Sequence, residues 1–411
     1  MTQTTFAALG LAEPLLRALE SRKFEIPTPI QADTIPALLA SKDLLGIAQT
    51  GSGKTAAFTL PILQHLVAQQ IRPAPFVTRA VILAPTRELA LQIDETVRAL
   101  SINVRLRTVV IIGGASRFKQ VEAMRRGADI VIGTPGRVCD LMQTRELQLG
   151  AVTHFVLDEA DRMLDLGFIK DIRRIVAALP PRRQSCLFSA TMPAEVSSLA
   201  NSLLRDPIRV EIARKEETAP KIDQFVHHLA QSGKQSLLLS MLQDDALSRV
   251  IVFTRTKHGA NKVAGVLENA GIQVNAIHGN KSQPQREKAL REFRSGRARV
   301  LVATDIAARG IDVTGISHVI NFDLPAEAES YVHRIGRTAR AGAAGVAISF
   351  CDPSERTMLR QIERQMNYAI TVVGDAPPPM THQPKKHPAA PGQAARRRYN
   401  DRGNRGMRSA A

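Results

Sequence analysis

A glycine-rich segment near the start of the chain has the residues needed to hold a polyphosphate. Residues 48–55 read AQTGSGKT, between the apolar run Leu44–Ile47 and a helical pattern. Small residues let backbone N–H groups surround phosphate oxygens at a helix N-terminus. Lys54 is expected to reach the β- and γ-phosphates, and the Thr55 hydroxyl to bind Mg²⁺. Ala48 stands where such loops usually begin with glycine, so the match fails at one position.

An acidic tetrad, DEAD at residues 158–161, directly follows a second apolar run, His154–Leu157. Such a tetrad alone is typical of a solvated surface. Carboxylates at the carboxyl end of a strand in an open α/β sheet, however, lie where ligands bind. We therefore expect Asp158 to hold Mg²⁺, largely through water, and Glu159 to polarise an attacking water. The two segments together predict phosphoryl transfer from a nucleotide.

Apolar runs rich in Val and Ile recur along the chain and alternate with helical patterns, which predicts parallel sheets covered on both faces. Ten such strands would be many for one sheet, so we expect two sheets of about five to seven strands each. A further strand pattern, Ile222–Leu229, opens the second half. The runs are Arg79–Pro85, Arg107–Ile112, Asp129–Gly133, His154–Asp158, Ser185–Ser189, Arg249–Thr254, Val274–His278, Arg299–Thr304, His318–Phe322 and Gly345–Phe350.

The composition is that of a globular protein with an anionic partner. The chain has 411 residues and a net charge of +17, which favours nucleic acid or an acidic membrane surface as partner. Aromatic residues are only 4% of the chain and Trp is absent, so a grip based mainly on base stacking is not expected. The three cysteines lie far apart, which favours neither a zinc site nor disulfides. No apolar run is long enough for a membrane span, so we expect a reducing, cytoplasmic location.

Further motifs follow in an order that resembles the DEAD-box ATP-dependent RNA helicases, and within them the bacterial RhlE-type members. The resemblance covers about residues 6–350, and the joint order of the motifs is far more specific than any one of them. The motifs are FEIPTPIQ at 24–31, PTRELA at 85–90, GG at 113–114, TPGR at 134–137, SAT at 189–191, VFTR at 252–255, the QxxR pair at 283 and 286, TDIAARGID at 304–312, and HRIGRTAR at 333–340.

The resemblance implies an α/β fold with two tandem RecA-like domains, each built on a parallel sheet. We expect the first domain at residues 1–212 and the second at 221–373, joined by the polar linker 213–220. From residue 374 large apolar residues almost disappear, which predicts a disordered basic tail at 374–411. We expect this tail to tether the core to structured RNA; the alternative is that it only increases solubility. Its basic residues are Lys385, Lys386, Arg396, Arg397, Arg398, Arg402, Arg405 and Arg408.

The resemblance also implies ATP and Mg²⁺ as cofactors and assigns a role to each matching residue. Gln31 is expected to bond the adenine edge and Phe24 to pack on its face, while Arg337 and Arg340 reach the γ-phosphate from the second domain. The expected catalytic residues are Lys54, Asp158, Glu159, Arg337 and Arg340. The expected ATP-binding residues are Phe6, Phe24, Gln31, Ala48, Gln49, Thr50, Gly51, Ser52, Gly53, Lys54, Thr55, Gly310 and Asp312, with Thr55 and Asp158 as metal ligands. The expected coupling residues are Asp161, Ser189, Thr191 and His333. The expected RNA-binding residues are Thr86, Arg87, Gly113, Gly114, Thr134, Arg137, Arg255, Gln283, Arg286 and Thr304.

The implied function is ATP-dependent, local unwinding of short RNA duplexes by a monomer. Because backbone contacts carry no base information, RNA binding is expected to be largely independent of sequence. Ribosome assembly or RNA decay is the expected setting, with proteins of those processes as partners and no membrane. Three alternatives stay open: an ATP-dependent RNA clamp, a DNA helicase or translocase, and a nucleotide-binding protein without turnover. The FEIPTPIQ segment at 24–31, the DEAD tetrad and SAT argue against the second. The intact Lys54, Glu159, Arg337 and Arg340 argue against the third.

Two positions depart from the family pattern. Lys23 precedes Phe24 and Ala339 precedes Arg340, where the family often has glycine. A residue with a side chain keeps the same backbone easily when φ is negative. We therefore expect both replacements to be tolerated, provided that neither position needs a positive φ.

Overall fold

The computed structural model describes residues 4–49, 51–212, 222–308, 313, 315–339 and 344–374. Within these ranges the chain forms two sheets of seven strands, and every strand pair in both is parallel. The described helices include none that is long and apolar enough to cross a bilayer.

The first sheet has the strand order β3-β4-β2-β5-β6-β1-β7. Its strands are β1 Leu44–Ile47, β2 Thr78–Leu83, β3 Thr108–Ile111, β4 Ala128–Gly133, β5 His154–Leu157, β6 Gln184–Ser189 and β7 Ile208–Glu211. Its helices are α1 Glu13–Ser21, α2 Pro29–Leu39, α3 Lys54–Gln69, α4 Arg87–Leu100, α5 Arg117–Met124, α6 Pro135–Gln143, α7 Ala160–Asp165, α8 Ile169–Ala177 and α9 Ala194–Leu203.

The second sheet has the strand order β10-β11-β9-β12-β13-β8-β14. Its strands are β8 Ile222–His228, β9 Val250–Phe253, β10 Val274–Ile277, β11 Val300–Ala303, β12 His318–Asn321, β13 Gly345–Cys351 and β14 Thr371–Val373. Its helices are α10 Lys234–Met241, α11 Lys257–Asn269, α12 Gln283–Arg294, α13 Asp305–Ala308, α14 Ala328–Ile335 and α15 Arg356–Met366.

The central strands form because both of their faces are covered. On β2, Ile82 packs into one apolar cluster with Phe58 and Phe188, while Val81 and Leu83 pack into the cluster on the opposite face. Residues buried on alternating sides produce the continuous Val- and Ile-rich runs of a parallel sheet. The predicted α/β fold with two parallel sheets is therefore confirmed, and each of the ten predicted runs overlaps a strand.

Two strands were not predicted, and both lie at sheet edges. β7 pairs only with β1 and exposes three of its four residues, while β14 pairs only with β8 and exposes all three of its residues. An edge strand that buries little has no apolar pattern to reveal it.

The two sheets have the same topology, strand for strand. β1 lies between β6 and β7 in the first sheet, and β8 lies between β13 and β14 in the second. β5 lies on the other side of β6 in the first sheet, and β12 lies on the other side of β13 in the second. Ligands of open α/β sheets bind outside the carboxyl ends of the strands. Those ends therefore decide which half can do which chemistry.

Candidate functional site

The segment 48–53 extends β1 and then turns sharply into α3. The Ala48 N–H donates to the Ser189 carbonyl at 3.0 Å, which keeps the two segments side by side. Gly51 and Gly53 have φ values of 86° and 98°. A Cβ on Gly53 would lie 2.5 Å from Nε2 of Gln31, so this position needs glycine for space as well as for conformation. Thr50 lies outside the described residues.

Lys54 and Asp158 lie together at the carboxyl edge of the first sheet, and both are buried. Lys54 Nζ donates to the Ala48 carbonyl at 2.8 Å. Burial raises the pKa of Asp158 to about 6, an effect that Lys54 opposes and the Glu159 carboxylate reinforces. Among the described residues, Oδ1 of Asp158 has no hydrogen-bond partner. A buried carboxylate oxygen without a donor fits the oxygen ligands that Mg²⁺ prefers, and Thr55, the second residue of α3, follows Lys54 directly.

Glu159 connects β5 to α7 with a left-handed backbone, φ 57° and ψ 54°. For a residue with a side chain this conformation costs on the order of 1–3 kcal/mol, and such strain is typical of functional sites. The Glu159 carboxylate accepts from Arg162 Nη1 at 2.9 Å. Nη2 of the same guanidinium lies 3.5 Å from Nδ1 of His333 on α14 of the second half.

Asp161 connects the DEAD segment to residues 189–191. Its Oδ2 accepts from the backbone N–H groups of Ala190 at 3.1 Å and Thr191 at 2.9 Å, and from the Thr191 hydroxyl at 3.0 Å. The Asp161 N–H donates to the Ser189 hydroxyl at 3.3 Å, and that hydroxyl donates to the Thr191 carbonyl at 2.7 Å. Three of the four predicted coupling residues thus form one network, whereas His333 lies near Arg162 instead.

Gln31 joins the predicted adenine site to the glycine-rich loop. Its Oε1 accepts from the Thr28 N–H at 2.9 Å, and its Nε2 donates to the Gly53 carbonyl at 3.1 Å. Phe24 is 37% exposed, as expected for a side chain open to a ligand face. Phe6 is buried in the first core instead, where it packs with residues that include Leu9.

Three guanidinium groups gather from both halves of the molecule. Arg87 lies against the Gly113–Gly114 backbone, and a Cβ on Gly114 would collide with the Arg87 guanidinium. Burial lowers the pKa of Arg87, and the positive charges of Arg286 and Arg137 lower it further. Arg286 Nε donates to Glu88 Oε1 at 2.7 Å, in a buried ion pair between α12 and α4. Arginine side chains beside a glycine backbone, which carries no side chains of its own, are suited to contact the phosphates of a nucleic acid.

The other predicted RNA-binding residues lie at helix starts and strand ends. Thr86 caps α4 by accepting from the Leu89 N–H at 3.2 Å. Arg137 donates to the Ala115 carbonyl at 3.2 Å. The remaining positions are Thr134 before α6, Gln283 at the first position of α12, Thr304 directly after β11, and Arg255 two residues after β9.

Of the predicted arginine fingers, only Arg337 lies among the described residues; Arg340 does not, and neither do Gly310 and Asp312. Arg337 is buried, and its Nε donates to the His333 carbonyl at 3.2 Å, in the turn that follows α14.

The condition set for Lys23 and Ala339 was not met. Their φ values are 59° and 55°, so both positions do need the left-handed backbone that glycine adopts easily. The condition under which both replacements would be tolerated easily therefore fails, and the positions concerned are those next to the predicted adenine-binding Phe24 and the predicted finger Arg340. Lys23 follows the end of α1, and the buried Ala339 follows the turn that contains Arg337.

Sequence reasoning also missed a buried ion cluster in the second half. Lys234 is 0% exposed, and its Nζ lies 2.6 Å from Glu355, 3.2 Å from Asp352 and 3.7 Å from Asp323. Arg255 joins the cluster by donating to Glu355. One signal was available: residues 230–234 read AQSGK after β8, much as AQTGSGK at 48–54 follows β1.

Comparison with protein families gives two matches in tandem. The DEAD/DEAH box helicase family matches residues 28–199, and the helicase conserved C-terminal domain matches residues 233–342. The RNA helicase CrhR of Synechocystis is 45% identical over 376 residues, which cover 90% of this chain and 75% of that protein. The DEAD-box ATP-dependent RNA helicase CshA of Geobacillus kaustophilus is 43% identical over 361 residues, covering 88% of this chain and 76% of that protein.

Solved structures agree with this assignment. S. cerevisiae Dbp5 bound to RNA and ADP BeF3 has a TM-score of 0.78 and 34% identity, over 90% of this chain and 95% of that one. The DEAD-box helicase Mss116 bound to ssRNA and UDP-BeF has a TM-score of 0.81 and 29% identity, over 91% of this chain and 81% of that one. Both similarities extend over the two sheets, so they support the whole two-domain arrangement.

Proposed function

This chain belongs to the DEAD-box ATP-dependent RNA helicase family, and from that premise we propose that its ATP site is divided between the two sheets. The protein is an ATP-dependent RNA helicase with RecA-like domains, that is, an RNA-stimulated ATPase. The observation that supports the division most directly is the position of the DEAD segment, where Arg162 reaches both Glu159 and His333 of the second half. Hydrolysis then depends on how the two halves meet, and RNA can control it by favouring that arrangement.

In the first domain, the backbone of residues 48–53 and Lys54 hold the phosphates at the start of α3. Gln31 recognises the adenine edge, and through the Gly53 carbonyl it also supports the phosphate loop. Glu159 orients the attacking water, and Arg337 and Arg340 face the charge that develops on the γ-phosphate. Phosphoryl transfer depends mainly on such positioning and charge stabilisation.

We propose Thr55 and Asp158 as the residues that hold Mg²⁺. The unpartnered, buried Oδ1 of Asp158 supports this assignment. Bound there, Mg²⁺ would neutralise charge on the β- and γ-phosphates. It would also offset the repulsion between the Asp158 and Glu159 carboxylates.

For RNA, the arginine cluster of Arg87, Arg137 and Arg286 supplies a positive surface to which both halves contribute. The glycine backbone at 113–114 and the residues at helix starts suit phosphate and sugar contacts, which position the strand without reading its bases. Binding is therefore expected to be largely independent of RNA sequence.

We extend the proposal to the finer assignments. The domain bounds are 1–212 and 221–373, with a linker at 213–220; the protein acts as a cytoplasmic monomer of the RhlE type in ribosome assembly or RNA decay. The basic composition of 374–411, of which 375–411 lie outside the described residues, supports a tail that tethers RNA. Truncation after Val373 should weaken RNA binding and flatten its dependence on salt. An unchanged salt titration would contradict the tether.

The first experiment measures ATP hydrolysis with and without RNA, with Glu159→Gln as the control. We expect slow basal turnover, strong stimulation by RNA but not by DNA, and loss of turnover in the variant. Turnover that ignores RNA would contradict the divided site, because the halves would then meet without it. Displacement of one strand from a short RNA duplex then separates unwinding from clamping: a clamp hydrolyses ATP but leaves the duplex intact.

A further inference from the structure

The Arg162 side chain carries a full charge into the interior beside the proposed catalytic carboxylate. It lies on α7, one position after the DEAD tetrad, and the side chains of Arg162 and Glu159 are each only 5% exposed. Removing an ion from water costs several kcal/mol unless close partners replace the solvent. Such a charge is therefore held by its contacts, and here the contacts are Glu159 and His333.

The geometry gives Arg162 two different tasks. Nη1 donates to Oε2 of Glu159 at 2.9 Å, within the first domain and only three residues away. Nη2 lies 3.5 Å from Nδ1 of His333, in the second domain. Because a guanidinium has donors only, the His333 nitrogen can take part in this contact only as the acceptor. One rigid, planar group thus spans the catalytic carboxylate and the opposite domain.

We propose that Arg162 is a positioning residue, which fixes the direction of the Glu159 carboxylate and makes that direction depend on His333 of the second domain. The inference rests on the proposed function, because it needs Glu159 to orient the attacking water. When the domains separate, the guanidinium loses His333 and can turn. Glu159 then loses a fixed direction as well, so ATP bound to the first domain alone is hydrolysed slowly.

The left-handed backbone of Glu159 explains why such a support is needed. With φ 57° and ψ 54°, Glu159 stands at the turn between β5 and α7, and its carboxylate is held by the ion pair with Arg162. An ion pair with a planar guanidinium limits the rotation of a carboxylate better than an ion pair with a flexible ammonium does. Misplacement of a catalytic group by about 1 Å costs on the order of 10²-fold in rate.

Lysine and glutamine separate the two tasks of Arg162. In Arg162→Lys the ammonium can still pair with Glu159, but a single point charge cannot span both partners. In Arg162→Gln the charge is lost, and with it the ion pair. Both variants should lose RNA stimulation, and the Gln variant should lose the larger share because it also lacks the ion pair to Glu159.

The experiment uses the full chain and RNA-stimulated ATP hydrolysis, measured over ranges of RNA and ATP concentration. For Arg162→Gln we expect kcat at saturating RNA to fall about tenfold or more, because the carboxylate is no longer held in place. The KM for ATP and the Kd of a fluorescent ADP analogue should stay within about twofold, because Arg162 is proposed to position Glu159 and not to bind nucleotide. For Arg162→Lys we expect most of the RNA stimulation to be lost, because the lysine cannot contact Glu159 and His333 together.

Arg125→Gln is the matched control. Arg125 forms the same kind of pair with an acidic residue three positions before it, but its side chain and that of Glu122 are 62% and 54% exposed. This variant should behave as the wild type does. Adding His333→Ala to Arg162→Lys should cause no further loss of RNA stimulation, because the lysine has already broken that contact.

The outcomes are distinguishable. If the wild type itself shows no RNA stimulation, the proposed function fails. If the wild type is stimulated and Arg162→Lys is stimulated equally, the coupling through Arg162 is wrong while the function stands. A loss in both variants that follows weaker binding of the ADP analogue, or a lower unfolding midpoint, would make Arg162 a structural residue and overturn the proposal.

Discussion

The loops after β1 and after β8 occupy equivalent places in two sheets of identical strand order, yet they have opposite relations to negative charge. After β1, residues 48–53 include two glycines with positive φ, and Lys54 Nζ contacts a backbone carbonyl. After β8, residues 229–233 are one position shorter, and Gly233 has an ordinary φ of −83°. Lys234 is surrounded there by the carboxylates of the protein itself. The same scaffold therefore carries one loop that can receive a phosphate and one that cannot.

The carboxylates of the second half explain why it takes no phosphate. Burial pushes the pKa of Asp352 upward, but hydrogen bonds from Ser354 and the Lys234 ammonium outweigh it and bring the pKa to about 2. Asp352 therefore stays ionised, and with Glu355 it neutralises the lysine. A phosphate brought to this place would meet negative charge and no donor loop. The second half is proposed to contribute Arg337, from the turn after α14, to the ATP site.

The largest effect that this comparison predicts is on stability, in Lys234→Met. Removing the Lys234 ammonium leaves the buried carboxylates of Asp352 and Glu355 facing each other, with the half-exposed Arg255 still paired to Glu355, which costs about 3–5 kcal/mol of unfolding free energy. Urea unfolding measures the loss. Lys262→Met, on the exposed surface of α11, is the control and should change little. A loss below about 1 kcal/mol would mean that the cluster is weakly coupled and that the comparison with Lys54 is superficial.

The equivalent change in the first half should lower activity and leave stability nearly unchanged. Lys54→Met should lower the rate of ATP hydrolysis by about 10²–10³-fold, because a donor to the transferred phosphate is lost. Its unfolding free energy should change by less than about 1 kcal/mol, since Lys54 has no ion pair within 4 Å among the described residues. Urea titrations and ATPase assays of Lys54→Met and Lys234→Met, run in parallel, test whether the first variant loses activity and the second loses stability. Equal losses of stability in both would break the comparison.

Histidines at the starts of β5 and β12 offer a smaller test. Burial, then His65 and Arg79, lower the pKa of His154 to about 3. The folded pKa lies below the unfolded value of about 6.5, so full stability holds above that pH and is lost on acidification. At about pH 5 the loss from His154 is about 2 kcal/mol. His154→Gln should therefore lose about that much less than the wild type between pH 7.5 and 5 in urea unfolding.

His318, which starts β12, is the matched position in the second half. Burial lowers its pKa too, but it is only half-buried and Asp244 opposes the shift. His318→Gln should therefore leave the pH dependence of unfolding closer to that of the wild type. The same change in slope for both variants would show that the two strand starts are equivalent in environment as well as in sequence.

Much of this difference between the two halves could not be predicted from the sequence, for a physical reason. The loop around Lys54 is local, so its glycines and lysine are recognisable in eight residues. The environment of Lys234 is set by Asp323, Asp352 and Glu355, which are distant in sequence. The order of β8, β12 and β13 in the sheet brings them together. The central strands were predictable because they are apolar on both faces, and the exposed β7 and β14 were not.

Backbone conformation was equally hidden from the sequence, and it gives the smallest predicted effect. Lys23 and Ala339 occupy left-handed positions, one in each half, where a side chain costs roughly 1–2 kcal/mol. Glycine removes this strain but makes the unfolded chain more flexible, which returns about 0.4–1 kcal/mol. Lys23→Gly should therefore stabilise the protein by about 0.5–1 kcal/mol in urea unfolding. Lys23→Ala, which keeps the strain, should not.

Ala339→Gly should gain less than Lys23→Gly, because Ala339 is buried and Lys23 is exposed. Deleting a buried methyl group costs about 0.8 kcal/mol, which nearly cancels the relief of strain. A near-zero change in unfolding free energy for Ala339→Gly, together with a gain for Lys23→Gly, would show that packing offsets the backbone strain at Ala339 and does not offset it at Lys23. Equal gains at both positions would contradict this, and would mean that the Ala339 methyl group contributes no packing energy beside Arg337.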